Sequence, residues 1–215
     1  MINFFNNYFK GEDEVGLKHA GSIPESAADK IFNSIVKINY NNYIGTGFFI
    51  KIIINEKVYH FLFTCYHLIE LKAVDSKESI LIYFGKINNE SKKAIKLDEN
   101  ERFIKCFEKP IDTTIIEIID KDEIPEDKYL LPDLNYKNEN GYKNYIDKEF
   151  YLAGYPIKNN NYLVERHICS GEIKKIENDF EFKHSLDTEH GSSGFQICLI
   201  DNQNVIGIHK NGCKF

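Results

Sequence analysis

The sequence contains no surplus of basic residues, and this absence excludes one large class of partners. Its 215 residues include 27 Lys and Arg against 33 Asp and Glu, which gives a formal net charge of −6 at pH 7. Proteins that bind phosphate backbones do so mainly through clustered Lys and Arg side chains. The chain has neither such a cluster nor an RNA-binding signature, so we expect no nucleic acid among its partners.

Targeting segments and long apolar runs are also lacking. The N-terminal stretch MINFFNNYFKGEDE has no basic start, no apolar stretch and no small-residue cleavage site, unlike a secretory signal. No apolar run approaches the roughly 20 residues that a membrane-spanning helix needs. We therefore expect a soluble chain with no membrane partner.

Paired cysteines are missing as well. The five cysteines are odd in number, widely spaced and without a CxxC pair: Cys65, Cys106, Cys169, Cys198 and Cys213. Disulfide frameworks and zinc sites normally show even numbers or close pairs, so we expect neither of them, and no metal or cofactor. A reducing, cytoplasmic location is the simplest expectation, although a secreted chain whose signal had been removed would have the same composition.

Short strands account for most of what is present. Hydrophobic residues make up 42% of the chain, enough for one large domain or two closely packed subdomains. Segment 34–63 is rich in β-branched and aromatic residues and is broken by Asn-Asn, Gly and Asn-Glu, which predicts three antiparallel strands with tight turns. Further strands are predicted at 78–84, 102–107 and 112–119. Six short strands without intervening helices predict a small barrel or sandwich.

A polar, turn-rich segment separates this series from a second one. Residues 121–148 are predicted to link two β units. The only helical pattern is Pro24–Lys30, with a proline suited to a first helical position. The second strand series is predicted at 149–154, 162–169, 171–177, 179–184, 195–200 and 204–209.

The predicted fold is all-β, with two packed antiparallel six-stranded barrels and a short N-terminal helix. The predicted divisions are an N-terminal extension at 1–33, a first barrel at 34–120, a linker at 121–148 and a second barrel at 149–215.

Residues 186–196 read LDTEHGSSGFQ, and the GSSG within them is either an ordinary turn or a nucleophile held in one. A serine hydroxyl is a weak nucleophile at neutral pH and needs a base, which a third group orients. Of seven histidines, His67 follows an apolar strand in FLFTCYHLIE, whereas His60 lies within that strand and is expected to be structural. Asp112 opens the strand DTTIIEI, either as a strand-start cap or as the acceptor of Nδ1–H of His67.

These segments together resemble the trypsin-like (chymotrypsin-fold) serine proteases. TGFFI with FLFTCYHLI is similar to the histidine block of that family, IDTTIIEI to its aspartate block, and EHGSSGFQI with NVIGIHKNG to its serine block. LAGYP at 152–156 and CSGEI at 169–173 are similar to two smaller motifs. The order His, Asp, Ser is the family's order, and the matches extend over residues 34–212.

The resemblance implies a cleft between two barrels and a serine endopeptidase that acts on a protein or peptide substrate. Ser193 would attack the carbonyl, His67 would take and return the proton, and Asp112 would steady the imidazolium. The backbone N–H groups of Gly191 and Ser193 would form the oxyanion hole. An α/β-hydrolase elbow is excluded, because a strand and not a helix is predicted after Gly194. A catalytically inactive binding module with this fold stays the alternative.

The sequence departs from the family in three places. Ser192 stands where digestive members carry the aspartate that pairs with a freed N-terminus, so activation by that route is not expected. Phe195 and Gln196 replace the usual small residue and proline. The chain stops soon after the strand predicted to line the substrate pocket. Either it is a fragment of a longer protein, with a further domain or regulatory partner, or its second barrel is truncated and closes unusually.

Two residues compete as determinants of specificity. Asp187 lies six residues before Ser193, where trypsin-like members select a basic side chain before the scissile bond, but it is equally a strand-end residue. GIHKNG resembles the GxHxGG of glutamyl endopeptidases and picornavirus-type proteases, whose histidine binds Glu or Gln. Here that histidine is His209, which we favour over Asp187.

Overall fold

In a computed structural model, residues 23–86, 89–158, 161–162, 166–178, 181–186 and 192–210 are described. Strands dominate this part of the chain, which confirms the all-β prediction. Helix α1 (Glu25–Ser34) begins directly after Pro24, as predicted, and extends beyond Lys30. A second short helix, α2 (Leu71–Asp75), was not predicted. None of the helices in the described ranges is both long and apolar enough to cross a bilayer.

The first sheet is antiparallel and has the strand order β5-β4-β1-β2-β3-β7-β6. Its strands are β1 (Ile35–Tyr40), β2 (Tyr43–Ile54), β3 (Lys57–Cys65), β4 (Ser79–Lys86), β5 (Asn89–Lys96), β6 (Ile104–Phe107) and β7 (Thr113–Glu117). The first two hairpins turn at Asn41-Asn42 and Asn55-Glu56, and the positive φ of all four residues suits two-residue hairpin turns.

Strand β5 is an addition to the six strands predicted for this region. Its sequence, NESKKAIK, lacks the apolar alternation by which a strand is recognised. It lies at the edge of the sheet and pairs only with β4 in the described chain. Lysines on an edge strand discourage further pairing, so its polar sequence fits its position.

The second sheet has the order β12-β11-β8-β13-β14 among the described residues, beside a separate β9-β10 pair. Its strands are β8 (Glu149–Gly154), β11 (His167–Asn178), β12 (Glu181–His184), β13 (Gln196–Leu199) and β14 (Val205–Ile208). The separate pair is β9 (Ile157–Lys158) and β10 (Asn161–Tyr162). One long strand, β11, covers most of the region where two strands were predicted.

The segment between the sheets is held to both of them by its backbone. It contains four 3₁₀ turns, at Asp120–Asp122, Glu126–Lys128, Asn135–Lys137 and Gly141–Tyr145. Leu130 exchanges hydrogen bonds with β2, and Val205 of β14 exchanges hydrogen bonds with Leu131 and Asp133. This segment therefore passes from the first sheet to the second.

The apolar core joins the two sheets. One buried cluster fills the first sheet around Phe49, Leu62 and Ile82. Another combines Phe48 of β2 with Cys198 of β13. Burying a large apolar side chain contributes about 1.5–3 kcal/mol, so this shared cluster stabilises the contact of the two sheets.

Candidate active site

The ladder between β3 and β7 brings His67 and Asp112 together. Cys65 pairs with Thr113 in this ladder, and the next residue, Tyr66, donates its N–H to the carbonyl of Asp112 at 3.1 Å. His67 Nδ1 then lies 2.7 Å from Asp112 Oδ2, and the backbone N–H of His67 donates to Oδ1 at 3.0 Å. Backbone pairing alone thus places the base candidate against the acid candidate.

The surroundings of this pair decide which nitrogen of His67 carries the hydrogen. Asp112 is 1% exposed, and its carboxylate accepts from His67 at both oxygens. A buried carboxylate is costly unless it is hydrogen-bonded, so Nδ1 of His67 is the donor. Nε2 is left as the basic nitrogen of the neutral ring. The His67 side chain is 44% exposed, so the ring extends from the buried acid towards solvent.

Asp112 also has a positive φ of 56°. This left-handed conformation is uncommon for a residue with a side chain, although Asp tolerates it better than most. The turn before it is fixed because the N–H groups of Ile111 and Asp112 both donate to the carbonyl of Glu108. Strained conformations of this kind persist where surrounding contacts hold them, often at functional sites.

Ser193 lies in the turn that leads into β13. The N–H of Gly194 donates to the carbonyl of His209 at 2.7 Å, and the N–H of Phe195 donates to that of Ser192 at 3.1 Å. Gly194 has φ 87°, and a Cβ added to it would lie 2.0 Å from the carbonyl oxygen of Thr46 in β2. Only glycine allows this approach, which brings the second sheet's serine against the first sheet.

The Ser193 hydroxyl donates to the carbonyl oxygen of Lys210 at 3.1 Å. Among the described residues it has no hydrogen bond to His67. Catalytic hydrogen bonds are often long or absent without substrate and form in the complex. For catalysis the serine side chain would have to rotate, so that its hydroxyl donates to His67 Nε2 instead of to the Lys210 carbonyl.

Cys65 lies close to the His67–Asp112 pair. Its Sγ, a ring nitrogen of His67 and a carboxylate oxygen of Asp112, the atoms that could bind a metal, lie within 4.8 Å of one another. The buried thiol donates to the carbonyl of His209 at 3.6 Å. Burial, with the charge of Asp112 added, raises the pKa of the Cys65 thiol. The thiol is already engaged with the His209 carbonyl, and the other two groups bond each other, so the geometry favours the His67–Asp112 hydrogen bond over a metal centre.

His209, the favoured specificity residue, contacts a second histidine that sequence reasoning missed. His184 Nε2 lies 3.1 Å from His209 Nδ1, and the N–H of Leu186 donates to His184 Nδ1 at 3.3 Å. His184 Nε2 therefore carries the hydrogen and donates it, and His209 Nε2 carries the hydrogen of its own neutral ring. Burial lowers the pKa of both imidazoles, that of His209 to about 4, with His184 also lowering it. Nothing in the sequence distinguishes His184 from the other strand-end histidines.

Lys210 is a further residue that motif matching did not identify. Its ammonium group donates to the carbonyl of Pro110, two residues before Asp112, and pairs with Glu181 of β12. This ion pair lowers the pKa of the Glu181 carboxyl. One side chain from the residues that follow β14 therefore contacts the loop that carries the acid candidate of the first sheet.

Two predicted site residues lie outside the described residues: Gly191, for the oxyanion hole, and Asp187, for specificity. Their roles stay predictions. His60 is described, and its structural role fits its contacts, since Nε2 lies 2.9 Å from Glu126 Oε2 and the ring packs on Tyr129.

Comparison with solved structures identifies the arrangement as the two-barrel fold of chymotrypsin-like serine proteases. Rv3671c from M. tuberculosis H37Rv, in an inactive form, matches with a TM-score of 0.54 and 15% identity over 90% of this chain and 84% of that one. The serine endoprotease from Yersinia pestis matches with 0.55 and 12% identity, over 88% and 58% of the two chains. A Glu endopeptidase matches with 0.52 and 15% identity, over 85% and 80%.

No protein-family model matches the chain, and no curated protein matches it by sequence. At identities of 12–15% the likeness establishes the fold. It confirms the predicted two-barrel architecture and the structural side of the resemblance to this family.

Proposed function

We propose that this protein is a serine endopeptidase with Ser193 as nucleophile, His67 as general base and Asp112 as the group that orients the base. The observation that carries the proposal is the 2.7 Å hydrogen bond between His67 Nδ1 and the buried Asp112 carboxylate. It fixes the ring with Nε2 as the acceptor, which is the nitrogen that a serine base must use. The chymotrypsin-like fold of the chain supports the same activity.

In the proposed mechanism the Ser193 hydroxyl turns from the Lys210 carbonyl to His67 Nε2. Its oxygen attacks the peptide carbonyl carbon while Nε2 takes its proton, and Asp112 stabilises the resulting imidazolium. The oxyanion accepts hydrogen bonds from the backbone N–H groups of Ser193 and Gly191. His67 then protonates the departing amine, and water, activated by the same base, releases the acyl group and restores the serine.

For specificity we propose His209, oriented by His184. The Nε2–H of a neutral, buried imidazole is a donor suited to a carboxylate or amide oxygen, so a Glu or Gln side chain would precede the scissile bond. The pKa of His209, lowered to about 4, keeps this ring neutral and the donor in one tautomer at pH 7. A basic side chain bound by Asp187 is the competing specificity.

An inactive binding module of the same fold is the second candidate. It is favoured by one observation, the Ser193 hydroxyl bound to Lys210 instead of His67. A resting serine that never turns to the base would leave the fold without chemistry.

Hydrolysis of a mixed peptide library separates these candidates. If the protein is an endopeptidase, the parent should cleave peptides and Ser193→Ala should not. Ser192→Ala, which changes the adjacent serine, should cleave like the parent. A parent that cleaves nothing favours the binding module, and a Ser193→Ala variant that cleaves as well as the parent contradicts the assignment. Products ending in Glu or Gln support His209, whereas products ending in Lys or Arg support Asp187.

A further inference from the structure

Gln196 is a buried polar residue three positions after Ser193, and its side chain reaches across to α1. It is the first residue of β13, is fully buried, and pairs along its backbone with Ala153 and Ile208. Its Nε2 donates to the carbonyl of Ile31 at 3.0 Å, and its Oε1 accepts from Ser34 Oγ at 2.8 Å. Both ends of the amide are thus satisfied by one helix.

The contact lies at the carbonyl end of α1. The Ser34 hydroxyl is 2.7 Å from the Ile31 carbonyl oxygen and 2.8 Å from Gln196 Oε1. It has one hydrogen to donate, and because Gln196 Nε2 already donates to the Ile31 carbonyl, that hydrogen is assigned to Oε1. The last four carbonyls of a helix have no partner within it, and α1 ends at Ser34. Gln196 binds the carbonyl of Ile31, and Arg166 binds that of Phe32 at 2.7 Å with its guanidinium above the Phe32 ring. Two of the four open carbonyls are therefore capped by side chains from the second half of the chain.

Apolar packing fixes α1 in the same place. Ile31 and Ile35 are fully buried against Tyr151 and Ala153 of β8 and against Tyr155. Strand β8 is the neighbour of β13 in the sheet. Since α1 continues directly into β1, the helix is joined to the first sheet by the chain and to the second by these contacts.

We infer that Gln196, bound to the C-terminal end of α1, is a positioning residue that holds the nucleophile turn 192–195 in its working conformation. The inference rests on the proposed function. Ser192 offers no carboxylate that could fasten this turn to a freed N-terminus, and the Gln196 amide fastens it without a charge or a cleavage. The glutamine that departs from the family motif thus has a defined task, and α1 is required for full activity.

Two variants remove this contact from opposite sides. Gln196→Met keeps the length of the side chain but loses both hydrogen bonds, and Ser34→Ala leaves Gln196 Oε1 without its donor. Gln203→Met is the matched control, because Gln203 also donates from its amide to a backbone carbonyl, that of Ile200 at 2.9 Å, in the turn between β13 and β14. It lies beyond β13 and makes no contact with the turn among the described residues.

We expect kcat to fall about tenfold to 100-fold in both variants. This range is the free-energy cost of an unsatisfied buried polar group, converted into a change of the activation free energy. KM should change little, and Gln203→Met should keep the parental kcat. Parental kcat in both Gln196→Met and Ser34→Ala, or an equal loss in the control, would overturn the inference.

Amide hydrogen exchange of the peptide that spans 192–199 gives a readout that needs no activity. Exchange at the turn should be faster in Gln196→Met and Ser34→Ala than in the parent and in Gln203→Met, because a less firmly held turn opens more often. Parental exchange in both variants refutes the positioning role even if the melting temperature falls. A parent without any turnover refutes the proposed function and leaves this exchange result to decide the role of Gln196.

Discussion

The two halves of the candidate site are held in place by different means. His67 and Asp112 are positioned by the backbone ladder of β3 and β7. The ladder ends at the Cys65–Thr113 pair, directly next to these two residues in the chain. The turn that carries Ser193 also has backbone hydrogen bonds, but we expect its position to depend in addition on two side chains, since Gln196 binds α1 and Lys210 binds the carbonyl of Pro110. We therefore expect the proposed acid–base pair to depend on the first sheet, and the position of the proposed nucleophile to respond to changes of single side chains.

The largest expected effect comes from Asp112→Asn in the sheet-built half. The amide cannot hold His67 in the required tautomer, so kcat should fall on the order of 10⁴-fold while the fold is kept. Peptide hydrolysis with far-UV circular dichroism measures both. Asp133→Asn is the control, because Asp133 is also a buried, hydrogen-bonded carboxylate but binds Tyr145 in the linker. A parental kcat in Asp112→Asn would remove Asp112 from the mechanism.

Gly194→Ala should damage the serine half almost as severely. The added Cβ would lie 2.0 Å from the carbonyl oxygen of Thr46, and the alanine backbone would have to adopt a positive φ. The turn must therefore shift, and kcat should fall by roughly 100-fold or more. Gly141→Ala separates strain from clash, since Gly141 has φ 54° but no non-neighbouring atom nearer than 3.8 Å. Equal kcat in the two variants would contradict the close approach of the sheets at this turn.

Lys210→Met tests the side chain that joins the halves. Loss of its bond to the Pro110 carbonyl should loosen the loop before Asp112 and lower kcat by about tenfold, the cost of roughly one charged hydrogen bond. Lys148→Met is the control, because Lys148 is half exposed and its ion pair with Asp201 is long, at 4.0 Å. The kcat of both variants is measured with one peptide. Equal kcat values in Lys210→Met and Lys148→Met would show that the contact between Lys210 and the Pro110 carbonyl is not needed for turnover.

The smallest effect is a pH dependence of stability from the His184–His209 pair. Their pKa values are lowered in the folded chain, that of His209 to about 4, so the unfolded chain binds protons first as pH falls below about 6.5. Stability from this pair is complete above that pH and is lost down to about pH 4, on the order of 1–3 kcal/mol.

Urea unfolding at pH 7 and pH 4.5 measures this loss. His209→Gln should lose less stability on acidification than the parent. A parental pH dependence in His209→Gln would mean that the buried pair does not titrate as proposed.

Sequence patterns predicted what depends on neighbours in the chain. The hairpins at Asn41-Asn42 and Asn55-Glu56 and the helix after Pro24 follow from local turn and capping chemistry, and the family motifs led to the dyad. Strand β5 was missed because its polar residues suit an edge and not a core.

Contacts between distant parts of the chain were not predictable. Gln196 was visible only as a departure from a motif, because its partners Ile31 and Ser34 lie more than 160 residues away. His184 likewise acquires its contact with His209 only when β12 approaches the end of β14, and Lys210 acquires its contact only when the residues after β14 reach the loop before Asp112. A single sequence carries no signal for such pairs.

The most direct test of the central claim is the site at which a fluorophosphonate probe attaches. Such probes phosphonylate only a serine that a base has activated, so peptide mapping by mass spectrometry should find the adduct on Ser193. Ser192→Ala should label like the parent, and Ser193→Ala and His67→Ala should not label. An unlabelled parent, or an adduct on Ser192, would contradict the account.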